Sequence, residues 1–281
     1  MLGIIGGSGF EKFDEFEVVE LLNRETPFGL ASSGFKKISV NGKKALFISR
    51  HGQSHEHLPS EINYRANIYA MKKQGVTTIV SFSAIGSLQQ QYKPGDLVVP
   101  FQYIDRTKSL RSHTFCGEGV VGHVSLAHPV SEKKAEIVKA IVENADFDSH
   151  FGQTYVCIEG PYFSTKAESY SYRAMNADVI GMTNFPEYAL AREAGISYVP
   201  CCFVTDYDCW DDSIAHVTVA EVLEVMRKNN SKAFFVLKHL MGNQQFVEKC
   251  EDNDQGLKTG LFMPPELIPE NKKEIVKVLT N

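Results

Sequence analysis

Short apolar segments alternate with longer amphipathic segments along most of the chain, and this alternation limits the fold more than any other feature. Several apolar segments carry hydrophobic residues on both faces, as strands do when helices cover both sides of a sheet. The predicted strands are residues 2–5, 37–40, 45–49, 78–82, 97–99, 154–158, 178–180 and 198–204. The pattern predicts an α/β fold with a central twisted mixed sheet flanked by helices.

The intervening segments have helical periodicity and recognisable ends. Ser60 is placed to cap a helix that runs to Lys73 and ends at Gly75, and Ser131 is placed to cap another. Further helices are predicted at residues 166–175, 186–194, 217–241 and 272–279, and a second strand between residues 10 and 22. No repeat, low-complexity tract or linker divides the 281 residues, so we expect one domain over residues 1–281.

Composition excludes several classes of partner. The 29 Lys and Arg against 34 Asp and Glu give a net charge of −5, which disfavours a nucleic-acid binder that relies on a basic face. No run of about 18 apolar residues occurs, so no membrane span is expected. The N-terminal segment lacks the features of a signal peptide. Cys201 and Cys202 are adjacent within an apolar run, which favours buried thiols in a reducing cytoplasm over a disulfide framework.

Two motifs after predicted strands suit an anion. In residues 6–9, GGSG, the glycines allow close backbone approach and Ser8 adds a hydroxyl donor. A tight turn without a ligand is an equally good interpretation. A dinucleotide site is a poorer one, because the spacing is not G-x-G-x-x-G. In residues 49–52, SRHG, Arg50 offers a planar set of donors and His51 another. A zinc site built on His51 and the nearby histidines is disfavoured, because the segment is predicted to be a loop with no cysteine or carboxylate to complete the coordination.

Three further strand ends carry side chains that suit a polar, flat ligand. Ser83 follows the strand at residues 78–82 and is a weak candidate for a third anion contact. Phe163 lies in a strand-to-helix connection and suits stacking on a nucleobase, although aromatic residues there are more often part of the core. Met182 and Thr183 would provide a soft wall and a hydroxyl, unless they serve only as a turn before Pro186.

The strongest candidate for acid catalysis is Asp206 with Asp208, directly after an apolar strand. In an extended chain the two carboxylates would lie on the same side, and desolvation would raise the pKa of at least one of them. A carboxylic acid that is protonated near neutral pH can act as a general acid. Solvated surface acids are the alternative, which Trp210, the only tryptophan of the chain, makes less favourable.

Taken together, these segments resemble the methylthioadenosine phosphorylase family, within the trimeric class of purine nucleoside phosphorylases. The motifs that match in order are residues 3–9 (GIIGGSG), 26–29 (TPFG), 50–52 (RHG), 63–67 (NYRAN), 104–107 (IDRT), 159–161 (EGP), 167–169 (AES), 182–183 (MT) and 206–210 (DYDCW). The resemblance implies phosphorolysis of 5′-methylthioadenosine to adenine and 5-methylthioribose 1-phosphate, with inorganic phosphate as co-substrate and no metal or cofactor. It also implies a cytoplasmic homotrimer.

The resemblance assigns a role to each matching position. The residues implied to bind phosphate are Ser8, Arg50, His51, Ser83, Ala84 and Thr183. Those implied to contact the nucleoside are Phe163, Met182, Asp206, Tyr207 and Asp208, with Asp206 as the general acid at the purine N7 and Asp208 at the 6-amino group. Ser164 and Val219 are implied to set specificity, and His123 and Leu279 to come from a neighbouring subunit.

Some positions depart from the family pattern. Ser8 and Ser83 stand where many relatives carry threonine, which preserves the hydroxyl. Tyr162 stands where an arginine is usual, and Asn184 and Phe185 replace smaller or different residues. The alternatives are a phosphorylase for 6-oxopurines or methylthioinosine, a Rossmann-type oxidoreductase, and a non-catalytic sensor of purine or phosphate. Asp206 with Asp208 argues against the 6-oxopurine enzyme, because those relatives carry asparagine in this region.

Overall fold

The computed structural model describes residues 1–10, 16–40, 42–211, 219–249 and 255–281. The strands are β1 (Leu2–Gly6), β2 (Glu17–Leu22), β3 (Glu25–Thr26), β4 (Gly29–Leu30), β5 (Phe35–Val40), β6 (Lys43–Ser49), β7 (Thr78–Ser87), β8 (Leu97–Val99), β9 (Gln102–Arg106), β10 (Ser149–Phe151), β11 (Thr154–Ile158), β12 (Val179–Gly181) and β13 (Ser197–Asp206). The helices are α1 (Tyr64–Lys73), α2 (Glu132–Val142), α3 (Lys166–Ala174), α4 (Asn184–Glu193), α5 (Val219–Gly242), α6 (Gln244–Val247), α7 (Gly256–Gly260) and α8 (Glu270–Thr280), with a 3₁₀ turn at Pro265–Leu267.

Eleven of the described strands form one mixed sheet, as the alternation of apolar and amphipathic segments predicts. Its main path runs β10, β8, β13, β7, β1, β6, β5, β2, and β12, β11 and β9 branch from the far end of β7. The centre is parallel, because β1 pairs in parallel with both β6 and β7, and β13 pairs in parallel with β7. These central strands therefore bring their carboxyl ends to one edge of the sheet.

Helices cover both faces of the sheet, and two large apolar clusters fill the space beneath them. One cluster joins α1, α4 and α8 through residues such as Ile68, Leu190 and Ile275. The other joins α2 and α5 through residues such as Val138 and Leu237. Because both faces are covered, β1 is buried along its whole length and β13 is buried up to its last residue. No helix in the described ranges has the length and apolarity needed to cross a membrane.

The structure corrects several sequence predictions. Helix α1 begins at Tyr64 instead of following Ser60, because the Asn63 side chain accepts a hydrogen bond from the Ala66 amide at 3.2 Å. Strand β7 continues to Ser87, since its second half pairs with β12. The strand predicted between residues 10 and 22 is β2, and residues 11–15 lie outside the described ranges. Strands β9 and β10 were not predicted, because neither has a continuous apolar pattern.

Candidate active site

A cavity of about 350 Å³ lies at the edge of the sheet where β1, β6, β7, β12 and β13 end or turn. It brings together most of the side chains singled out from the sequence, although they are spread over 200 residues of chain. The predicted residues that line the cavity are Ser8, Arg50, His51, Ser83, Ala84, Phe163, Ser164, Met182, Thr183, Asp206 and Asp208. Arg50 and His51 follow β6, Asp206 ends β13, and β1 and β7 lie between these two strands. The site therefore has cationic and hydroxyl groups towards one end and the two aspartates towards the other.

Arg50 is completely buried at the cationic end, and most of its donors are already used. Nε and Nη2 donate to the two carboxylate oxygens of Glu187, and Nη2 also donates to Ser81 Oγ at 2.6 Å. Nη1 donates to the Phe82 carbonyl at 3.1 Å. A guanidinium has five N–H groups, so only one, on Nη1, has no partner among the described residues. Most of the planar set of donors is therefore occupied by protein groups, which leaves one N–H of Arg50 for a ligand in the cavity.

The buried charge of Arg50 is stabilised by its partner. Burial alone would lower the pKa of the guanidinium, but the adjoining Glu187 carboxylate more than offsets this, so the pKa is raised. Ser81 and Tyr198 also donate hydrogen bonds to Glu187, each to Oε1, at 2.7 and 2.8 Å. The sequence gives no signal for Glu187, because a glutamate in the first turn of a helix is more often exposed.

The glycine loop after β1 lies directly against Arg50. A Cβ atom on Gly7 would lie 2.3 Å from Arg50 Nη1 and 2.6 Å from the Phe82 carbonyl oxygen. Gly9 has a φ of +82°, which favours glycine. Packing therefore requires the glycines of this loop, as the interpretation of a tight turn holds, and Ser8 lines the cavity, so that anion binding there stays a prediction.

His51 and Ser83 complete the polar end. The His51 Nδ1 atom lies 2.9 Å from the His57 carbonyl oxygen, and the His51 ring stacks on His55 with centroids 4.4 Å apart. Ser83 lies inside β7 and not in a loop after it. Its hydroxyl donates to Asn184 Oδ1 at 3.4 Å. Asn184, a departure from the family pattern, is therefore a buried polar partner of this end of the cavity.

The two aspartates at the other end adopt a geometry that the sequence did not predict. Asp208 has a φ of +53°, so the chain is not extended there. Its amide donates to Asp206 Oδ1 at 2.8 Å, and Thr205 Oγ1 donates to Asp206 Oδ2 at 2.7 Å. Burial raises the pKa of Asp206, although these hydrogen bonds oppose the shift. The direction of the pKa shift agrees with the prediction, and a turn, not an extended strand, holds the two acids together.

Asp208 is oriented by a serine from α3. Ser169 Oγ donates a short hydrogen bond to Asp208 Oδ2. Burial raises the pKa of Asp208, and the Asp206 carboxylate adds to the rise. Nearby, the Trp210 indole donates to the Ser87 carbonyl at 2.9 Å. The carboxyl groups therefore lie in a fixed setting that disfavours their charged forms.

The side walls consist of two loops. Met182 follows β12, and a Cβ atom on Gly160, whose φ is +70°, would lie 2.5 Å from the Met182 sulfur. Phe163 lies at the rim with 80% of its surface exposed, next to Ser164. Met226 of α5 also lines the cavity. The sequence pattern placed Met226 in an amphipathic helix but did not identify it as a residue of the site.

Tyr207, His123 and Leu279 do not line the cavity of this chain. The Tyr207 ring packs edge-on against Trp210, and its hydroxyl lies 3.5 Å from the Gln90 carbonyl. His123 is exposed near Phe262. Leu279 is only 2% exposed within the core cluster of α1, α4 and α8, so it offers almost no surface to a neighbouring subunit. The Val219 side chain lies outside the described part of the structure.

Comparison with known proteins agrees with this architecture. The model of the phosphorylase superfamily matches residues 1–241. The S-methyl-5′-thioadenosine phosphorylase of Geobacter sulfurreducens is 41% identical over 274 residues, which cover 98% of this chain and 96% of that protein. The Neurospora crassa enzyme of the same name is 43% identical over 290 residues, covering 98% and 92%.

Solved structures give the same result. A methylthioadenosine phosphorylase from an Antarctic soil metagenomic library has a TM-score of 0.91 at 43% identity, covering 99% of this chain and 98% of that one. The Schistosoma mansoni methylthioadenosine phosphorylase in complex with adenine has a TM-score of 0.85 at 35% identity, covering 93% and 98%. The chain therefore belongs to the phosphorylase superfamily and, within it, to the family of the S-methyl-5′-thioadenosine phosphorylases.

Proposed function

We propose that this chain catalyses phosphorolysis of 5′-methylthioadenosine to adenine and 5-methylthioribose 1-phosphate. The observation that carries the proposal is the buried pair Asp206 and Asp208, held by a turn at one end of a cavity whose other end holds Arg50 and several hydroxyl groups. The names of the relatives and of the solved structures agree with this substrate.

The reaction exchanges one bond at the sugar for another. An oxygen of inorganic phosphate forms a bond to the anomeric carbon while the bond from that carbon to purine N9 breaks, and the bonding electrons pass to the purine. The transition state thus has positive charge on the ribose and negative charge on the base. A site that neutralises the base and holds the phosphate near the anomeric carbon lowers the barrier by electrostatics and proximity.

Asp206 supplies the proton for the leaving purine. Burial raises the pKa of its carboxyl group, which keeps a larger fraction protonated near neutral pH than in an exposed aspartate. In the proposed complex it donates to purine N7. Donation means replacing one of its present hydrogen bonds, from Thr205 or the Asp208 amide, on substrate binding.

Asp208 distinguishes the 6-amino group from a 6-oxo group. The hydrogen bond from Ser169 to Oδ2 orients the carboxylate, which in the proposed complex accepts from the exocyclic amine. The hydrogen bond from Ser169 lowers the pKa of Asp208 and so opposes the effect of burial. In its ionised form Asp208 repels a carbonyl oxygen at the same position. A 6-aminopurine nucleoside is therefore favoured as substrate over methylthioinosine, inosine or guanosine.

Several hydrogen-bond donors of different chemical types hold the phosphate. Arg50 contributes one N–H, and Ser8, Ser83, Thr183, His51 and the Ala84 amide surround the same end of the cavity. This arrangement agrees with the net charge of −5, because a dianion needs local donors and not a basic protein. Met182 lies against the ribose, Phe163 against the base, and Ser164 beside it.

We also propose a homotrimer in the cytoplasm that needs no metal or cofactor besides phosphate. The five cysteines in the described ranges have free thiols, as a reducing compartment allows. Two exposed aromatic side chains, Phe163 at the cavity rim and its neighbour Tyr162, are suited to burial against a neighbouring subunit. Light scattering of the purified protein tests the trimer, and a monomeric mass would refute it.

The activity is tested by measuring adenine release from 5′-methylthioadenosine with and without inorganic phosphate. We expect release that depends on phosphate and forms one sugar phosphate per adenine. Methylthioinosine is the matched comparison, and a higher kcat/KM for it would favour the 6-oxopurine alternative. Tight binding of adenine without turnover would instead indicate a sensor.

A further inference from the structure

One buried arginine outside the cavity follows β9 and donates hydrogen bonds to residues that follow β11 and β12. Arg111 follows β9, is 4% exposed and does not line the cavity. Its Nη1 atom donates to the Met182 and Phe185 carbonyls at 2.7 and 2.6 Å. Its Nη2 atom donates to the Glu159 carbonyl at 2.9 Å, and Nε donates to the Glu159 carboxylate at 2.8 Å.

These contacts reach both side walls of the site. Strands β9, β11 and β12 lie side by side, since β11 pairs with both of the others. Glu159 opens the loop after β11 that carries Phe163 and Ser164, and Met182 belongs to the loop after β12. The guanidinium therefore fixes the backbone of the two loops that surround the nucleoside.

The Glu159 carboxylate balances the charge of Arg111. We therefore expect Arg111 to fix the positions of its backbone partners and not to supply charge to the site. Glu159 pairs with Arg111 through one carboxylate oxygen, and the other accepts from the Lys108 amide at 2.7 Å. The planar guanidinium offers donors in several fixed directions, whereas a lysine ammonium is a compact charge. A lysine at this position would lack the fixed directions in which the guanidinium reaches both loops and the Glu159 carboxylate.

We infer that Arg111 is a positioning residue for the nucleoside: it holds Met182 and the loop of Phe163 in the geometry that the sugar and base require. The inference rests on the proposed function. Arg50 is held at the phosphate end by its own hydrogen bonds to Glu187, Ser81 and Phe82. Thr183 and Asn184 are the residues of that end adjacent to an Arg111 partner. Loss of Arg111 should therefore affect the nucleoside more than the phosphate.

The test compares Arg111→Lys and Arg111→Ala with wild type in KM for 5′-methylthioadenosine, KM for phosphate and calorimetric Kd for adenine. Displacement of a binding wall by about 1 Å can cost up to about 100-fold. We expect the nucleoside KM and the adenine Kd to rise by about 10-fold or more, and the phosphate KM by less than about 3-fold. Guanidinium chloride at low millimolar concentration should partly restore the nucleoside KM of Arg111→Ala, while sodium chloride should not.

Arg24→Lys is the matched control, because the Arg24 guanidinium also donates to backbone carbonyls, those of Ala31 and Ser32, outside the cavity. It should leave all three constants unchanged. Equal rises in the nucleoside and phosphate KM, or wild-type constants in Arg111→Lys, would overturn the inference. If Arg111→Ala does not fold, Arg111→Lys decides. Adenine binding needs no turnover, so an inactive wild type would refute the proposed function while the Kd comparison still tests Arg111.

Discussion

Glu187 accepts two parallel hydrogen bonds from Arg50, 2.7 Å from Nε and 2.8 Å from Nη2, and both side chains are buried. The pair lies directly behind the phosphate end of the cavity. Its members cannot be removed independently, because breaking a buried ion pair leaves an uncompensated charge. Stability and phosphate binding are therefore linked through one guanidinium.

Arg50→Ala should lower the free energy of unfolding by about 3–5 kcal/mol, because Glu187 loses its partner. It should also raise the phosphate KM by about 10-fold or more, since a hydrogen bond to a charged group contributes about 1.5–3 kcal/mol. Urea denaturation and steady-state kinetics measure the two effects. The double variant Arg50→Met, Glu187→Gln separates them: it should regain stability while its phosphate KM stays high. Recovery of both would show that Arg50 does not bind phosphate.

Asp206→Asn should lower kcat by about 10²–10⁴-fold, the range for loss of a general acid. The amide keeps the size of the side chain and can still hydrogen-bond to the base, so the nucleoside KM should change much less. In the wild type, kcat should fall as pH rises through the raised pKa of Asp206, and this decrease should be absent in the variant. Near-normal turnover of Asp206→Asn would refute the assigned role.

The two raised pKa values also predict how the stability of the free protein depends on pH. Above the ordinary value of 3.8 the unfolded aspartates lose their protons while the folded ones retain them, so the folded state binds more protons. The stability of the wild type should therefore decrease relative to Asp206→Asn, Asp208→Asn as pH rises from 3.8 through the raised values. Urea denaturation of both proteins at several pH values measures the difference, and a constant difference would contradict the burial of these acids.

Ser169→Ala should reduce discrimination between 6-amino and 6-oxo substrates. Without the hydroxyl, Asp208 loses the hydrogen bond that orients it and lowers its pKa, so its carboxylate accepts less well from an amine. The kcat/KM ratio of methylthioadenosine to methylthioinosine should fall by about 10-fold or more, the equivalent of about 1.5–3 kcal/mol. Ser171→Ala on the same helix is the control, because that exposed hydroxyl donates only to the Glu168 carbonyl. An equal change in both variants would argue against this role.

Gly160→Ala should displace Met182 and so weaken nucleoside binding. The added Cβ would lie 2.5 Å from the Met182 sulfur at a φ of +70°. Gly75→Ala introduces the same backbone strain, at a φ of +78°, but has no atom within 4 Å of the new Cβ. Both variants should lose about 1–2 kcal/mol of stability, but only Gly160→Ala should raise the nucleoside KM. Steady-state kinetics of the two variants measure this difference. Equal nucleoside KM values would show that the contact with Met182 does not affect nucleoside binding.

The parts of the fold that the sequence predicted are those with a continuous local pattern. β1 and β8 carry no polar side chain, and β11 carries apolar side chains after Thr154, so their positions follow from the residues alone. β9 is mostly polar and exists because β11 supplies its hydrogen-bond partners. The start of α1 depended on whether Ser60 or Asn63 capped it, and both residue types cap helices well.

The residues of the candidate site also fall into those that the local sequence predicts and those that it does not. Residues at strand ends, such as Ser8 and Asp206, are recognisable because parallel strands end at a common edge. Glu187 and Arg111 act across large sequence separations, 137 residues from Arg50 to Glu187 and 71 from Arg111 to Met182. No local pattern encodes such pairs, so only the structure identifies them.

Trp210, two residues after Asp208, is the only tryptophan of the chain. Its indole N–H donates a hydrogen bond to the Ser87 carbonyl. Its emission therefore reports on a single environment, next to the carboxyl group that receives the purine. Adenine and phosphate can be titrated separately against this unlabelled signal, with the base expected to quench or shift it and phosphate expected to leave it nearly unchanged. The molecule thus carries an intrinsic optical probe that distinguishes the occupancy of one half of its site from that of the other.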